Sequence, residues 1–384
     1  MKKRIIDLSK PSVGDLEFAA LKRPLRSGWL TQGSEVESFE NEFASSQKVS
    51  HAIAVSSATT GLHLALLAIG VKPGDEVLVP SFTWISTANA VLYCGAIPVL
   101  VDCDPTTFNL LLEDMLNKVT DKTSAIVVVH LFGLCVDVEA LKRALPRPIP
   151  IVEDAACAVG AVMKDRSAGS MGDIGVFSFH PRKTLTTGEG GMITTNSDKY
   201  SDAVRVLRNH GASPLESSSS DNSHVVQMPK FDHLGFNYRL TDIQAAIGRV
   251  QLEKLPMFLA ERHELATIYS RRLSNFTNIV VPKIEGDFTH SLQSYVILVN
   301  GESTNRDSLS NFLGVNGIST RPGTHAVHTL GYYQSNFGYS DQDLPGALKC
   351  ATKSLAIPLH NCMSEKDVEY VCHFIELWIS KNFS

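Results

Sequence analysis

The run Val176-Phe-Ser-Phe-His-Pro-Arg-Lys183-Thr-Leu-Thr-Thr-Gly-Glu-Gly-Gly191-Met-Ile-Thr-Thr195 reads as two short apolar strands joined by a glycine-rich turn that holds a lysine. A lysine at the end of a buried strand is partly desolvated, which lowers its pKa toward the neutral amine. Only the neutral amine attacks an aldehyde to form a Schiff base. Taken alone, Lys183 is equally readable as a surface-loop lysine, so the rest of the chain has to decide.

Upstream of that run, short apolar stretches at 51–55, 76–79, 97–101, 125–129 and 149–152 alternate with helical patterns. Such alternation predicts a mostly parallel sheet covered on both faces, an α/β fold. Leu62, Ala65, Leu66 and Ile69 recur at helical spacing, and Gly70 stands where a C-terminal cap belongs. Downstream, residues 212–230 are polar and serine-rich and predict a surface loop insertion. A helix then restarts at Thr241, whose hydroxyl forms a capping box with Gln244, and Ile243, Ile247 and Val250 are its expected buried stripe. These signals divide the chain into a large unit, residues 1–255, and a smaller α+β unit, residues 256–384, with a strand at 294–299 and an amphipathic helix at 365–380.

The composition narrows the function classes. With 384 residues, 43% apolar and 20% charged, the chain is long enough for two cores. Its formal charge of −5 provides no general attraction for nucleic acid or anionic lipid. The start Met1-Lys2-Lys3-Arg4 lacks the apolar run of a signal peptide, and no apolar stretch is long enough to cross a bilayer, so a cytoplasmic location is expected. Seven cysteines without a C-x-x-C pair predict neither a disulfide framework nor a metal site.

Three further segments bear on chemistry. Ile149-Pro-Ile-Val-Glu-Asp154 is an apolar strand ending on a carboxylate, at the sheet edge where open α/β sheets bind ligands. There Asp154 could pair with a protonated ring nitrogen, or it could simply cap the helix that follows. Val55-Ser-Ser-Ala-Thr-Thr-Gly61 ends a strand and opens a helix, whose free N–H groups suit a phosphate. Pro80-Ser-Phe-Thr-Trp84 puts at the same edge an aromatic that can stack on a planar ring or sit in the core.

With these pieces together, the chain resembles the DegT/DnrJ/EryC1/StrS family of pyridoxal-phosphate (PLP) dependent sugar-nucleotide aminotransferases. The resemblance runs from Ser27-Gly-Trp-Leu-Thr31 through Pro73-Gly-Asp-Glu-Val77 and the Lys183 run to Leu234-Gly-Phe-Asn237-Tyr-Arg239. It implies a fold-type-I architecture like that of aspartate aminotransferase, with Lys183 as Schiff-base lysine, Asp154 as pyridinium partner and Trp84 against the ring. It further implies that the Ala58 and Thr59 amides and the Ser178 hydroxyl hold the phosphate, and that Asn237 is given to the neighbouring subunit of a homodimer with shared active sites. Where the family usually has Gln or His to touch the ring's phenolic oxygen, this chain has Cys157, a weaker donor that could instead pack under the ring.

The expected reaction moves an amino group from an amino acid, L-glutamate by the resemblance, to a nucleotide-linked keto-sugar, with Lys183 shuttling the proton. The acceptor expected first is a UDP-linked 4-keto-6-deoxy-N-acetyl hexose aminated at C4, and the alternative is GDP-perosamine-type or 3-keto-sugar amination. Arg239, His325 and His328 are the expected contacts to the sugar or its diphosphate. A dehydratase of this fold would carry histidine in place of Lys183. A non-catalytic regulator would lack the lysine or aspartate, or would add a basic segment.

Overall fold

The computed structural model describes residues 4–213, 228–283, 286–302 and 304–383. Its centre is a seven-stranded sheet in the order His51–Val55, Gly191–Thr195, Ile174–Ser178, Ile151–Asp154, Thr123–Val129, Glu76–Pro80, Ile97–Val101. Every strand runs the same way except Gly191–Thr195, which pairs antiparallel to both of its neighbours. The strands are continuous apolar runs because both faces are covered, Ile53, Val79 and Val127 packing to one side and Ala54, Leu78 and Val128 to the other. The α/β expectation holds, and the carboxyl ends of the parallel strands gather at one edge.

The helix expected after the first strand is Ala58–Ala68, capped by Ser57, whose Oγ accepts the Thr60 N–H at 3.2 Å. Gly70 follows it in the left-handed region. The helix expected from Thr241 runs on past residue 255 as one 32-residue helix, Asp242–Leu273, with Pro256 inside it and the Thr241–Gln244 capping box at its start. Residue 255 therefore lies within a helix. Leu255 packs with the large sheet's core, whereas Leu265 and Tyr269 pack with the C-terminal core.

The buried stripe of this helix differs from the expected one. Ile243, Ile247 and Val250 are only half-buried, and the buried face is Asp242, Ala245, Ala246 and Gly248. Close helix packing is the reason, since a Cβ on Gly248 would stand 2.6 Å from the Phe39 ring on the helix Ser34–Gln47. Asp242 seals the contact by accepting the N–H groups of Gly33 and Val36 at 2.8 and 3.0 Å.

A second, antiparallel sheet orders Ile279–Val280, Tyr295–Val299, Ser354–Ile357 and Arg321–Pro322. The helices Thr304–Val315 and Glu365–Asn382 accompany it, giving the α+β arrangement read for the C-terminal part. The chain start also belongs here, because Ile6 lies in that core and bridges Ile318. Residues 214–227 of the expected surface insertion lie outside the described residues, while its flanks meet where Ser213 donates to the Lys230 carbonyl at 2.9 Å.

Candidate active site

A cavity of about 230 Å³ opens at the carboxyl edge of the large sheet, and Ala58, Thr59, Trp84, Asp154, Cys157, Ser178 and Lys183 all line it. Parallel register explains the gathering: Val129, Asp154 and Val176 are neighbours across three strands, so the strand ends open on one crevice. Ala58 and Thr59 are the first turn of their helix, whose N-terminus opens on the same space. Trp84 lines the cavity and is 50% exposed, and the His325 ring leans on it at 5.6 Å between centroids.

Lys183 and Asp154 face this one cavity without touching. Lys183 is half-buried, and its Nζ donates to Cys157 Sγ at 3.1 Å. Asp154 is buried; its Oδ2 accepts from Thr87 Oγ1 at 2.7 Å and its Oδ1 from the Ala156 N–H at 3.1 Å. Burial pushes the Asp154 carboxyl above its ordinary value, and the Thr87 and Ala156 donors only oppose that. A buried acid of this kind becomes a stable carboxylate when a cation is brought to its open side, as a pyridinium would be.

The remaining expected contacts are spread more widely. His325 is exposed on the rim beside Trp84, in the short pairing of His325–Ala326 with Phe82–Thr83. Asn237 is exposed and bridges Asn209, and the Arg239 guanidinium donates to the Asn209 side chain; neither residue lines this chain's cavity. The expectation for His328 is corrected. It is fully buried, with Nδ1 on Ser81 Oγ at 2.7 Å and Nε2 on the Asp341 carbonyl at 3.1 Å, so it has no atom to offer a substrate.

Among the cavity residues that the reading of the sequence did not assign are His180, Arg182, Glu189, Gln293 and Arg321. Arg182 adjoins Lys183 inside the run quoted first, whereas Arg321 lies four residues before His325 and no pattern marks it. Gln293 comes from the C-terminal part, where its Nε2 donates to the Arg182 carbonyl at 2.8 Å and steadies the lysine segment.

Residues 11–376 match the DegT/DnrJ/EryC1/StrS aminotransferase family. The chain belongs to that family. As a DegT/DnrJ/EryC1/StrS protein it is a PLP-dependent sugar-nucleotide aminotransferase of fold type I, and Lys183 and Asp154 line one cavity. It is 41% identical to a GDP-perosamine synthase of Caulobacter vibrioides, over 95% of this chain and 96% of that protein. It is 36% identical to the spore coat polysaccharide biosynthesis protein SpsC of Bacillus subtilis, over 96% of both. Among solved structures, the aminotransferase TlmJ from Streptoalloteichus hindustanus matches with a TM-score of 0.89 at 32% identity, covering 98% of this chain and 100% of TlmJ. The PLP form of Spr1654 from Streptococcus pneumoniae matches with a TM-score of 0.91 at 26% identity, covering 99% of this chain and 100% of Spr1654. Among the described residues no helix is long and apolar enough to cross a membrane, and no group of three or more His, Cys, Asp or Glu is placed to hold a metal.

Proposed function

We propose that this aminotransferase moves the amino group of L-glutamate to C4 of a GDP-linked 4-keto-6-deoxyhexose, supplying an amino sugar for a surface polysaccharide or glycoconjugate. The single observation that supports this acceptor is the 41% identity, across nearly the whole of both chains, to a GDP-perosamine synthase. A second such synthase, from Escherichia coli O157:H7, is 35% identical over 98% of the chain. On this ground GDP goes ahead of the UDP-linked N-acetyl sugar that the sequence reading put first.

Bound PLP supplies an electron sink that takes up charge when a proton leaves the amino-bearing carbon. We assign Lys183 to bind it and then to move that proton, and Asp154 to keep its ring nitrogen protonated. A close opposite charge shifts a pKa by roughly 1–3 units, about 1.4–4 kcal/mol, which is sufficient at neutral pH. The Ala58 and Thr59 N–H groups and the Ser178 hydroxyl would hold its phosphate, and Trp84 would cover the ring and exclude water there. Cys157, against Lys183, would offer its thiol to the phenolic oxygen or pack under the ring. Asn237, exposed and outside this cavity, serves a second copy of the chain, so the working unit is a homodimer with shared active sites. His325 on the rim and Arg239 beside Asn237 are assigned to the sugar nucleotide.

The test is turnover of the PLP-loaded enzyme with L-glutamate and, in parallel, the GDP-linked 4-keto-6-deoxymannose and the UDP-linked 4-keto-6-deoxy-N-acetylglucosamine, with products identified by NMR. The expected product is the GDP-linked 4-amino sugar. Turnover of the UDP sugar alone would overturn the nucleotide assignment, and turnover of neither would overturn amination at C4.

A further inference from the structure

Arg321 opens the strand Arg321–Pro322, held antiparallel to Leu355 and Ala356 of the C-terminal sheet, and its side chain reaches the cavity that contains Lys183 and Asp154. Its Nε is buried and has no hydrogen-bond partner among the described residues. Burial pulls its pKa down, Arg182 adds to that effect, Cys157 opposes it, and no carboxylate contributes. Arg182 and Arg321 also flank a small side pocket with Gln293 and Ser294 that adjoins the main cavity. Two guanidiniums thus converge where the C-terminal sheet meets the lysine segment. A buried guanidinium donor left unmet is costly, and a carboxylate or phosphate meets it with two parallel charge-assisted bonds.

An aminotransferase of sugar nucleotides admits three anions. The cofactor phosphate belongs at the Ala58–Thr59 helix start, a different wall of the cavity. The diphosphate of a sugar nucleotide hangs from C1, across the whole hexose ring from the C4 carbon that must reach the lysine. The α-carboxylate of an amino-acid donor is bonded directly to the carbon that bears the amino group, so it has to lie beside the lysine. Arg182 is adjacent to Lys183 in the chain, and Arg321 lines the same cavity as Cys157, whose Sγ is 3.1 Å from Lys183 Nζ. We propose that Arg321, with Arg182 alongside, binds the α-carboxylate of the amino donor.

This assignment rests on the amino-acid donor reading and is independent of the nucleotide. The experiment separates the two half-reactions of the holoenzyme. L-glutamate bleaches the yellow PLP enzyme in one, and the keto-sugar nucleotide restores the colour of the pyridoxamine-phosphate enzyme in the other. For Arg321→Gln, the glutamate concentration needed for half-maximal bleaching rate is expected to rise about 30- to 100-fold. The sugar half-reaction should stay within about threefold, and Arg321→Lys should recover part of the loss through charge without the planar fork. The unaltered enzyme gives an independent reading: L-isoglutamine, with its α-carboxylate amidated, should lose bleaching by a comparable factor, while L-glutamine, amidated on the side chain, loses less. Unchanged bleaching by Arg321→Gln, or equal activity with L-isoglutamine, would overturn the assignment. A loss confined to the sugar half-reaction would place the arginine on the diphosphate instead, and equal losses in both would overturn the assignment as a general effect on the site. If no amino acid bleaches the unaltered holoenzyme, the donor reading itself fails and takes this one with it. Should Arg321→Gln not fold, the isoglutamine comparison decides.

Discussion

Glu153 and Asp154 are consecutive acids on one strand, both buried, and they face opposite sides of the large sheet. On the closed side, Glu153 Oε2 accepts from His130 Nε2 at 2.7 Å and from the Gly169 N–H at 2.8 Å, while its Oε1 accepts from the N–H groups of Met171 and Gly172. His130 Nδ1 accepts the Val136 N–H at 3.0 Å, which fixes the proton on Nε2. Burial alone would raise the Glu153 carboxyl, and this shell of donors overrides it and leaves the acid below its ordinary value. Asp154 has two donors, and there burial wins. The contrast teaches that burial does not distinguish a structural acid from a working one; what distinguishes them is whether the protein itself completes the hydrogen bonding.

The sharpest break of the contrast is Asp154→Asn. Turnover of the PLP-loaded enzyme should fall about 10²- to 10⁴-fold, while the melting temperature holds or rises because a carboxyl without its cation has been removed. Glu153→Gln should do the reverse. It leaves His130 and two or three backbone N–H groups poorly matched, costing about 3 kcal/mol in urea unfolding, with turnover per folded holoenzyme little changed. A collapse in melting of the first variant, or an unaltered stability of the second, would erase the distinction.

A third closed group extends the comparison to pH. Burial pushes His290 down to about 3 from an ordinary 6.5, and its Nδ1 accepts the Leu292 N–H at 3.0 Å, as a neutral ring should. The unfolded chain takes up a proton near its ordinary pKa while the folded one does not, so stability is flat above that value and declines as pH falls toward the folded value. Between pH 7 and pH 5 the loss from this group should be about 2 kcal/mol, and His290→Asn should flatten it in unfolding curves recorded across that range. The smallest effect is expected from Thr87→Val, which removes one donor from Asp154. It should weaken PLP binding about five- to tenfold, near 1 kcal/mol, in a fluorescence titration, leaving the Glu153 side untouched.

Much of this was legible in the sequence because strands buried on both faces must be apolar throughout, and because function in such sheets sits at their carboxyl ends. Lys183, Asp154, Trp84 and the Ala58–Thr59 helix start are all strand-end residues, and one cavity unites them. What escaped depends on approach rather than pattern. The boundary expected after residue 255 falls inside a helix that runs on through Pro256. Apolar periodicity picked out Ile243, Ile247 and Val250, whereas the contact with Phe39 required the small face at Gly248. In the run 321–328, spacing could not say which side chains turn inward. The answer is set by pairing with distant segments, Ser354–Ile357 for Arg321 and Ser81 for His328.

His328 has its importance elsewhere. Its ring accepts or shares the Ser81 hydroxyl proton at 2.7 Å, the neighbouring Val327 N–H donates to the Ser81 carbonyl at 2.7 Å, and His325–Ala326 pairs with Phe82–Thr83. The strap bearing Arg321 is thereby sewn to the segment bearing Trp84, through polar atoms shielded from water. A motion that parted those two walls would first have to rip this seam, so the strap bearing Arg321 and the segment bearing Trp84 are fastened to move as one.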